Sequence, residues 1–229
     1  MPKSSSGLAS KSLAVLRKDI LSEYRTRYAV NAILLFGVTT LTVVSFSVGQ
    51  LGLPGDVYAA LFWIILFFSA MSGLAQVFVK EEESRTAIVL RLTSDPSAIY
   101  IGKLAFNFLL LMLLELVITP LFFIMTDARA ADVGLFLVVL VIGSIGLAGA
   151  STLIAAIISK ANIKGALFAV LSFPILLPLL IGAIGGTRKA LTAGENPFAA
   201  ASSELQLLVS YAVVMITAGW LLFEFVWEE

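Results

Sequence analysis

The sequence predicts an all-α integral membrane protein. It would have six transmembrane helices, an N-terminal interfacial helix and a short amphipathic helix within its longest polar interruption. Three observations carry that prediction. Hydrophobic residues make up 59 % of the 229 residues and charged residues only 13 %, against roughly a quarter charged in a soluble domain. The mean hydropathy is +1.02. Six apolar stretches recur along the chain, each near the ~20 residues needed to cross the hydrocarbon core.

In chain order, residues 1–12 are Ser- and Lys-rich and read as a disordered tail. No short apolar run with a small-residue cleavage site follows, so they do not read as a signal peptide. Residues 13–229 form one transmembrane domain. Within 13–27, Leu13, Leu16, Ile20, Leu21 and Tyr24 fall on one side at helical spacing, while Arg17, Lys18, Asp19, Glu23, Arg25 and Arg27 fill most of the remainder. That pattern suits a helix in the headgroup region, with basic residues towards anionic lipid. The plainer alternative is a basic tail. Arg17, Lys18, Glu23 and Arg25 are the candidate interfacial charges.

The spans fall at about 28–48, 57–79, 103–125, 133–159, 165–186 and 205–226. Small residues cluster from Ser69 to Gly73 and from Gly143 to Ser151, where they let helices approach closely in lipid. The fifth span carries Pro174 and Pro178, each of which removes a backbone donor and is expected to kink or break the helix. Glu115 sits near the middle of the third span. A carboxylate at that depth costs about 2.5–3.5 kcal/mol on insertion scales, so it should face the bundle or be protonated. It reads as a proton or substrate contact, or as a neutral acid bonded to a neighbouring hydroxyl or carbonyl. Asn31 and Gln76 read as interhelical hydrogen-bonders, and Glu224 as interfacial. Residues 187–204 read as an outer loop, with a turn signal at Gly194-Glu195-Asn196-Pro197.

Orientation follows from where the 15 basic residues sit. With the N-terminus inside, the inner segments hold Lys3, Lys11, Arg17, Lys18, Arg25, Arg27, Lys80, Arg85, Arg91, Lys103, Lys160 and Lys164. The outer segments hold only Arg129, Arg188 and Lys189. The positive-inside rule then places both termini in the cytoplasm.

It also places the polar interruption 80–103 there. Lys80, Glu81, Glu82, Glu83, Arg85 and Arg91 crowd its first half, with Ala87, Ile88, Val89, Leu90 and Leu92 as an apolar flank. Glu81 and Arg85 are spaced four apart with the acid first, the favourable order for a helical pair. Asp95 before Pro96 reads as an N-cap with proline at the first helical position. A short amphipathic helix here is what a membrane subunit would offer a cytoplasmic partner; a solvated loop is the alternative.

Histidine and cysteine are both absent, which removes disulfides, thiolate or imidazole metal sites, and Ser-His or Cys-His catalysis. No phosphate-binding G-x-x-x-x-G-K-[ST] occurs, so if ATP drives this protein another chain binds it. Equal numbers of acidic and basic residues, 15 each, give no hint of nucleic acid.

The order of these elements resembles the type-2 ABC exporter permeases: interfacial helix, two spans, an acidic E-E-E-x-x-T segment (Glu81 to Thr86) closing on Ser94-Asp95-Pro96, then Gly102-Lys103 leading into the third span. The stretch LSFPILLPLLIGA, from Leu171 to Ala183, and the terminus LLFEFVWEE, from Leu221 to Glu229, resemble one branch of that superfamily, the heme exporter protein B (CcmB) family. The resemblance runs from Leu13 onward, and the double-proline span is its more specific mark. The inner segment departs from the family where a glycine is often found before the hydroxyl: here Arg85 precedes Thr86-Ala87.

The resemblance implies a non-catalytic membrane subunit of a cytochrome c maturation complex in the bacterial inner membrane. Two copies would work with a cytoplasmic CcmA-like ATPase, a CcmC-like heme-handling protein, a small CcmD-like protein and the heme chaperone CcmE. ATP would be bound by the ATPase, and heme would be handled by the complex. Glu81, Glu82, Glu83, Arg85, Ile88 and Leu92 would belong to the coupling helix, and Arg17, Lys18, Glu23 and Arg25 to the elbow helix beside it. With no His or Cys, this chain lacks the usual axial ligands for heme iron and is expected to bind no cofactor itself. The alternatives are an ABC permease for a lipid, polysaccharide or drug, and a secondary transporter using Glu115 as its proton site.

Overall fold

The computed structural model describes residues 7–48, 52–74, 90, 95–159, 165–192 and 194–228. All regular structure among them is helical. We number the helices α1 (Leu8–Thr26), α2 (Tyr28–Val48), α3 (Gly55–Leu74), α4 (Pro96–Thr126), α5 (Val133–Ser159), α6 (Gly165–Leu191), α7 (Pro197–Ala200) and α8 (Ser202–Glu228). Six of these (α2, α3, α4, α5, α6 and α8) are long and apolar enough to cross a membrane.

α2 and α5 occupy the spans expected for them. The others differ at their ends. α4 starts at Pro96, seven residues before the expected 103, because Asp95 opens the helix with its carbonyl accepting from Ala98 and Ile99 at 3.0 and 3.1 Å. The Asp95 side chain makes no cap bond; it pairs instead with Lys11 at 2.6 Å. α6 continues to Leu191, so the loop expected at 187–204 shortens and contains the single turn α7. α1 begins at Leu8, with Ser12 buried, so residues 8–12 are not the tail expected there. Residues 75–79 of the expected second span lie outside the described residues, as does Gln76.

α5 is deeply enclosed, as α3 is, packing on α4, α6 and α8 with α3 alongside, while α2 packs on α3 and α4. The small residues of α5 make this enclosure sterically feasible. At Gly143, an added Cβ would run into the six-membered ring of Trp63. Trp63 is fully buried and donates its Nε1 hydrogen to Thr187 Oγ1 at 2.8 Å, joining α3 to α6. One glycine on α5 thus admits the indole that ties two other helices together.

Exposed backbone is satisfied by neighbours, as a lipid environment requires. Ser45 Oγ and Tyr58 OH donate to the Met125 and Thr126 carbonyls at 2.8 and 3.2 Å, closing the end of α4. Asp132 Oδ1 accepts the Leu135 amide at 2.7 Å, an N-cap for α5. Pro174 and Pro178 were expected to kink or break the fifth span; both lie inside the continuous helix α6. Tyr211 OH donates to the Ile175 carbonyl between them at 3.0 Å, so a side chain from α8 serves backbone that the prolines disturb. Asn31, expected between helices, is exposed on the first turn of α2.

Gly143→Val should lower the unfolding free energy in detergent by about 1–3 kcal/mol, the overpacking range. Gly194→Ala should be neutral, since nothing lies within 4 Å of the added carbon. Denaturation midpoints of the two variants check this.

Candidate functional site

Two arrangements of polar residues stand out, one at the end of the bundle that carries α1 and one in its middle. The first begins with α1 lying across the opening turns of α4. Gly102 is the seat: a Cβ there would come within 2.7 to 2.9 Å of Val15 Cβ and Cγ1 and the Ser12 carbonyl oxygen. One residue on, Lys103 Nζ reaches both carboxylate oxygens of Asp19 at 3.2 and 3.1 Å. Lys103 is 1 % exposed and Asp19 6 %. Lys18 adds a third charge 3.2 Å from Asp19.

α1 therefore sits differently from the expected surface helix. Its stripe of Ser12, Val15, Asp19 and Glu23 faces the protein, and the apolar residues Leu13, Ile20, Leu21 and Tyr24 face outward, as a helix bedded in lipid requires. Arg17, Lys18 and Arg25 are exposed beside them. Glu23 was expected among the interfacial charges and is instead buried. The joint between α1 and α2 explains why. Arg27 alone separates the helices, in the left-handed region at φ 52°, with its N–H on the Glu23 carbonyl at 2.6 Å. Glu23 Oε1 then accepts the Val30 amide at 2.9 Å. It supplies from α1 the anionic cap that the first turn of α2 needs.

On its other side, the same end of α4 meets α8. Tyr100 is fully buried against Gly219, where any side chain would collide with its hydroxyl. Its ring lies 5.5 Å from Phe223, which stacks on Trp227 at 5.4 Å. Tyr100, Gly102 and Lys103 thus hold α8 and α1 against one short length of α4. That length follows directly after the charged segment. Glu81, Glu82, Glu83, Arg85, Ile88 and Leu92 lie outside the described residues.

The second arrangement is a seam between α4 and α5. Asn107 Nδ2 donates to Thr152 Oγ1 at 2.8 Å, and Thr152 donates to the Ala148 carbonyl at 2.6 Å. Two turns along each helix, Glu115 meets Ser144. Ser144 Oγ is within reach of both Glu115 Oε1 and the Leu140 carbonyl, the latter at 2.8 Å. A hydroxyl carries one proton, so the two contacts cannot both be donated by Ser144. Ser144 therefore donates to one of them, to Glu115 or to Leu140; were Glu115 neutral, it could donate to Ser144 while Ser144 donates to Leu140, and the two rungs would be alike.

Pro174 and Pro178 lie on the exposed side of α6. At the far end of the bundle an open groove of about 530 Å³ is lined by Asp56, Ile181, Ile184, Arg188, Glu204 and Leu207. Lys189 bridges it to α8 through Glu204 at 2.6 Å.

Sequence reasoning missed Asp19–Lys103, the Glu23 cap and Asn107–Thr152. A signal for the first two was present: Ser12, Val15, Asp19 and Glu23 follow one another at helical spacing, a stripe of small and acidic residues opposite the outward apolar face. Nothing in the sequence named their partners on other helices. A model of the CcmB protein family matches residues 10–223. No curated protein matches the chain.

Glu115→Gln keeps a donor for Ser144 and should leave unfolding stability within about 1 kcal/mol. Glu115→Leu should cost about 0.6 kcal/mol and at most about 1.7, the average and maximum for interhelical hydrogen bonds in a membrane bundle. Infrared difference spectra should show a protonated carboxylic acid in the wild type that Glu115→Gln lacks. Loss of function in a folded Glu115→Gln chain would return Glu115 to the role of a proton contact.

Proposed function

Because the chain belongs to the CcmB family, the membrane permease component of the heme exporter in cytochrome c maturation, we propose that it converts ATP hydrolysis by a partner into release of heme-loaded chaperone on the outer face. The partner is a cytoplasmic CcmA-like ATPase gripping residues 80–94. Two copies of this chain work beside a CcmC-like heme-handling protein and a small CcmD-like protein, and the heme chaperone is CcmE. The chain is non-catalytic and transmits force. It holds no histidine or cysteine with which to ligate heme iron.

The observation that carries this reading is the double grip on the first turns of α4. Residues 80–94 run into Asp95 and Pro96, and within the next eight positions Tyr100 engages α8 while Gly102 and Lys103 engage α1. A displacement applied ahead of Asp95 therefore reaches two further helices at once. Glu115 is read with the same choice, as a tie between α4 and α5 through Ser144.

In this reading the membrane is the bacterial inner membrane, with both termini and the charged segment in the cytoplasm. Basic residues are denser at that end. The chain contains no cysteine, so single replacements report cleanly. An impermeant thiol reagent added to spheroplasts should label Gly194→Cys and leave Arg17→Cys unmodified until the membrane is opened; the reverse result inverts the orientation. Reversing charge at Glu81, Glu82 and Glu83 to lysine should detach or uncouple the ATPase with membrane insertion intact, because charged rim contacts set partner choice and orientation. Unchanged co-purification and turnover would remove the segment from the docking role.

A further inference from the structure

Resting on that functional reading, we infer that Asp19 and Lys103 are a positioning pair that makes α1 and α4 move as one body when the nucleotide-hydrolysing partner acts on the segment ahead of Asp95. A buried ion pair is weak evidence for stability, since well-packed apolar residues of similar volume often serve as well. What it adds is geometric. Both carboxylate oxygens of Asp19 lie 3.1 to 3.2 Å from one ammonium, and a slide of one residue along a helix is about 1.5 Å. Slippage of α1 along α4 would break the pair in a largely closed site, where Lys103 is 1 % and Asp19 6 % exposed, and would leave Asp19 only its contact with Lys18.

The neighbouring contacts assign the pair that role. Gly102 brings the two backbones together at the adjacent position and fixes their separation. The other tie between α1 and α4, Lys11 to Asp95, has side chains 31 % and 63 % exposed and contributes little, as surface pairs do. The contact of α4 with α8 is largely aromatic, through Tyr100, Phe223 and Trp227, with one long hydrogen bond from Tyr100 OH to the Ile216 carbonyl at 3.4 Å. Beyond Asp19 the path continues: α1 ends at the one-residue joint of Arg27, and Glu23 bonds into the first turn of α2. Movement of α4 thus has a route to α2 through α1 beside the direct packing of α2 on α4.

The test uses the assembled complex with its ATPase and the double variant Asp19→Leu/Lys103→Met, which replaces both members of the pair by apolar side chains. The double variant should retain the ATPase and hydrolyse ATP at the wild-type rate. Chaperone release per ATP should fall at least tenfold. Spin labels at Arg17→Cys on α1 and Ile101→Cys on α4 should keep a constant separation through the nucleotide cycle in the wild type and drift apart in the double variant. Release per ATP at the wild-type level, or a separation that changes in the wild type, overturns the proposal and leaves the functional reading standing. Loss of the ATPase from the double variant overturns it as well, because the pair then serves docking. A wild-type chain that retains no ATPase sinks the functional reading, and this inference with it.

Discussion

Helices in lipid have no hydrophobic reason to choose one another over the acyl chains around them, and every contact in this bundle is shaped by that constraint. Association must come from close approach and from polar groups with nowhere better to go. Both devices are at work here, often side by side. Gly143 opens α5 to Trp63, whose indole nitrogen then finds Thr187 on a third helix. Gly102 brings α1 onto α4, and the next residue supplies the ammonium for Asp19. Gly219 lets α8 lie over Tyr100. In each case an absent side chain sets the distance and a neighbouring large or charged one sets the register.

The polar groups divide by depth. At the α1 end they are charged and can be, because headgroups and water lie near. In the middle stand an amide on a threonine and a carboxyl group beside a serine. A carboxylate at Glu115 would stand in low dielectric facing a serine whose proton is already wanted by Leu140. The seam is thus built from weak interactions that suit a dry interface, and it needs no counter-charge.

Much of the fold was legible because hydropathy and length are one-dimensional properties. α2 and α5 could be placed to the residue, and Asp95-Pro96 marked the start of a helix, although the counted span was placed later because Lys103 looked like a boundary. That misreading is instructive. A lysine in a membrane chain is read as standing at the water's edge, and only the fold reveals that this one turns inward to an aspartate 84 positions earlier. The same limit hid Glu23, which looked like one more interfacial charge, and Ser144, which fell within a run of small residues read as packing. Helical periodicity says which residues share a face; it does not say which face meets which. The prolines carry a local rule, a kink or a break, and the helix continues through both while a tyrosine from another helix bonds the Ile175 carbonyl between them.

The length of α4 has one more consequence. Its 31 residues extend about 46 Å, some 16 Å beyond the hydrocarbon slab, so the helix cannot be housed by the bilayer interior alone. Lys103 lies about 10 Å in from its beginning, near where acyl chains give way to headgroups. Bilayer thickness then enters as a variable: longer acyl chains would draw the ammonium and its aspartate deeper, and shorter ones would let water approach them. Such mismatch carries only fractions of a kcal/mol per Å, yet it bears directly on the joint between two helices, so the lipid around this chain tunes how stiffly it responds.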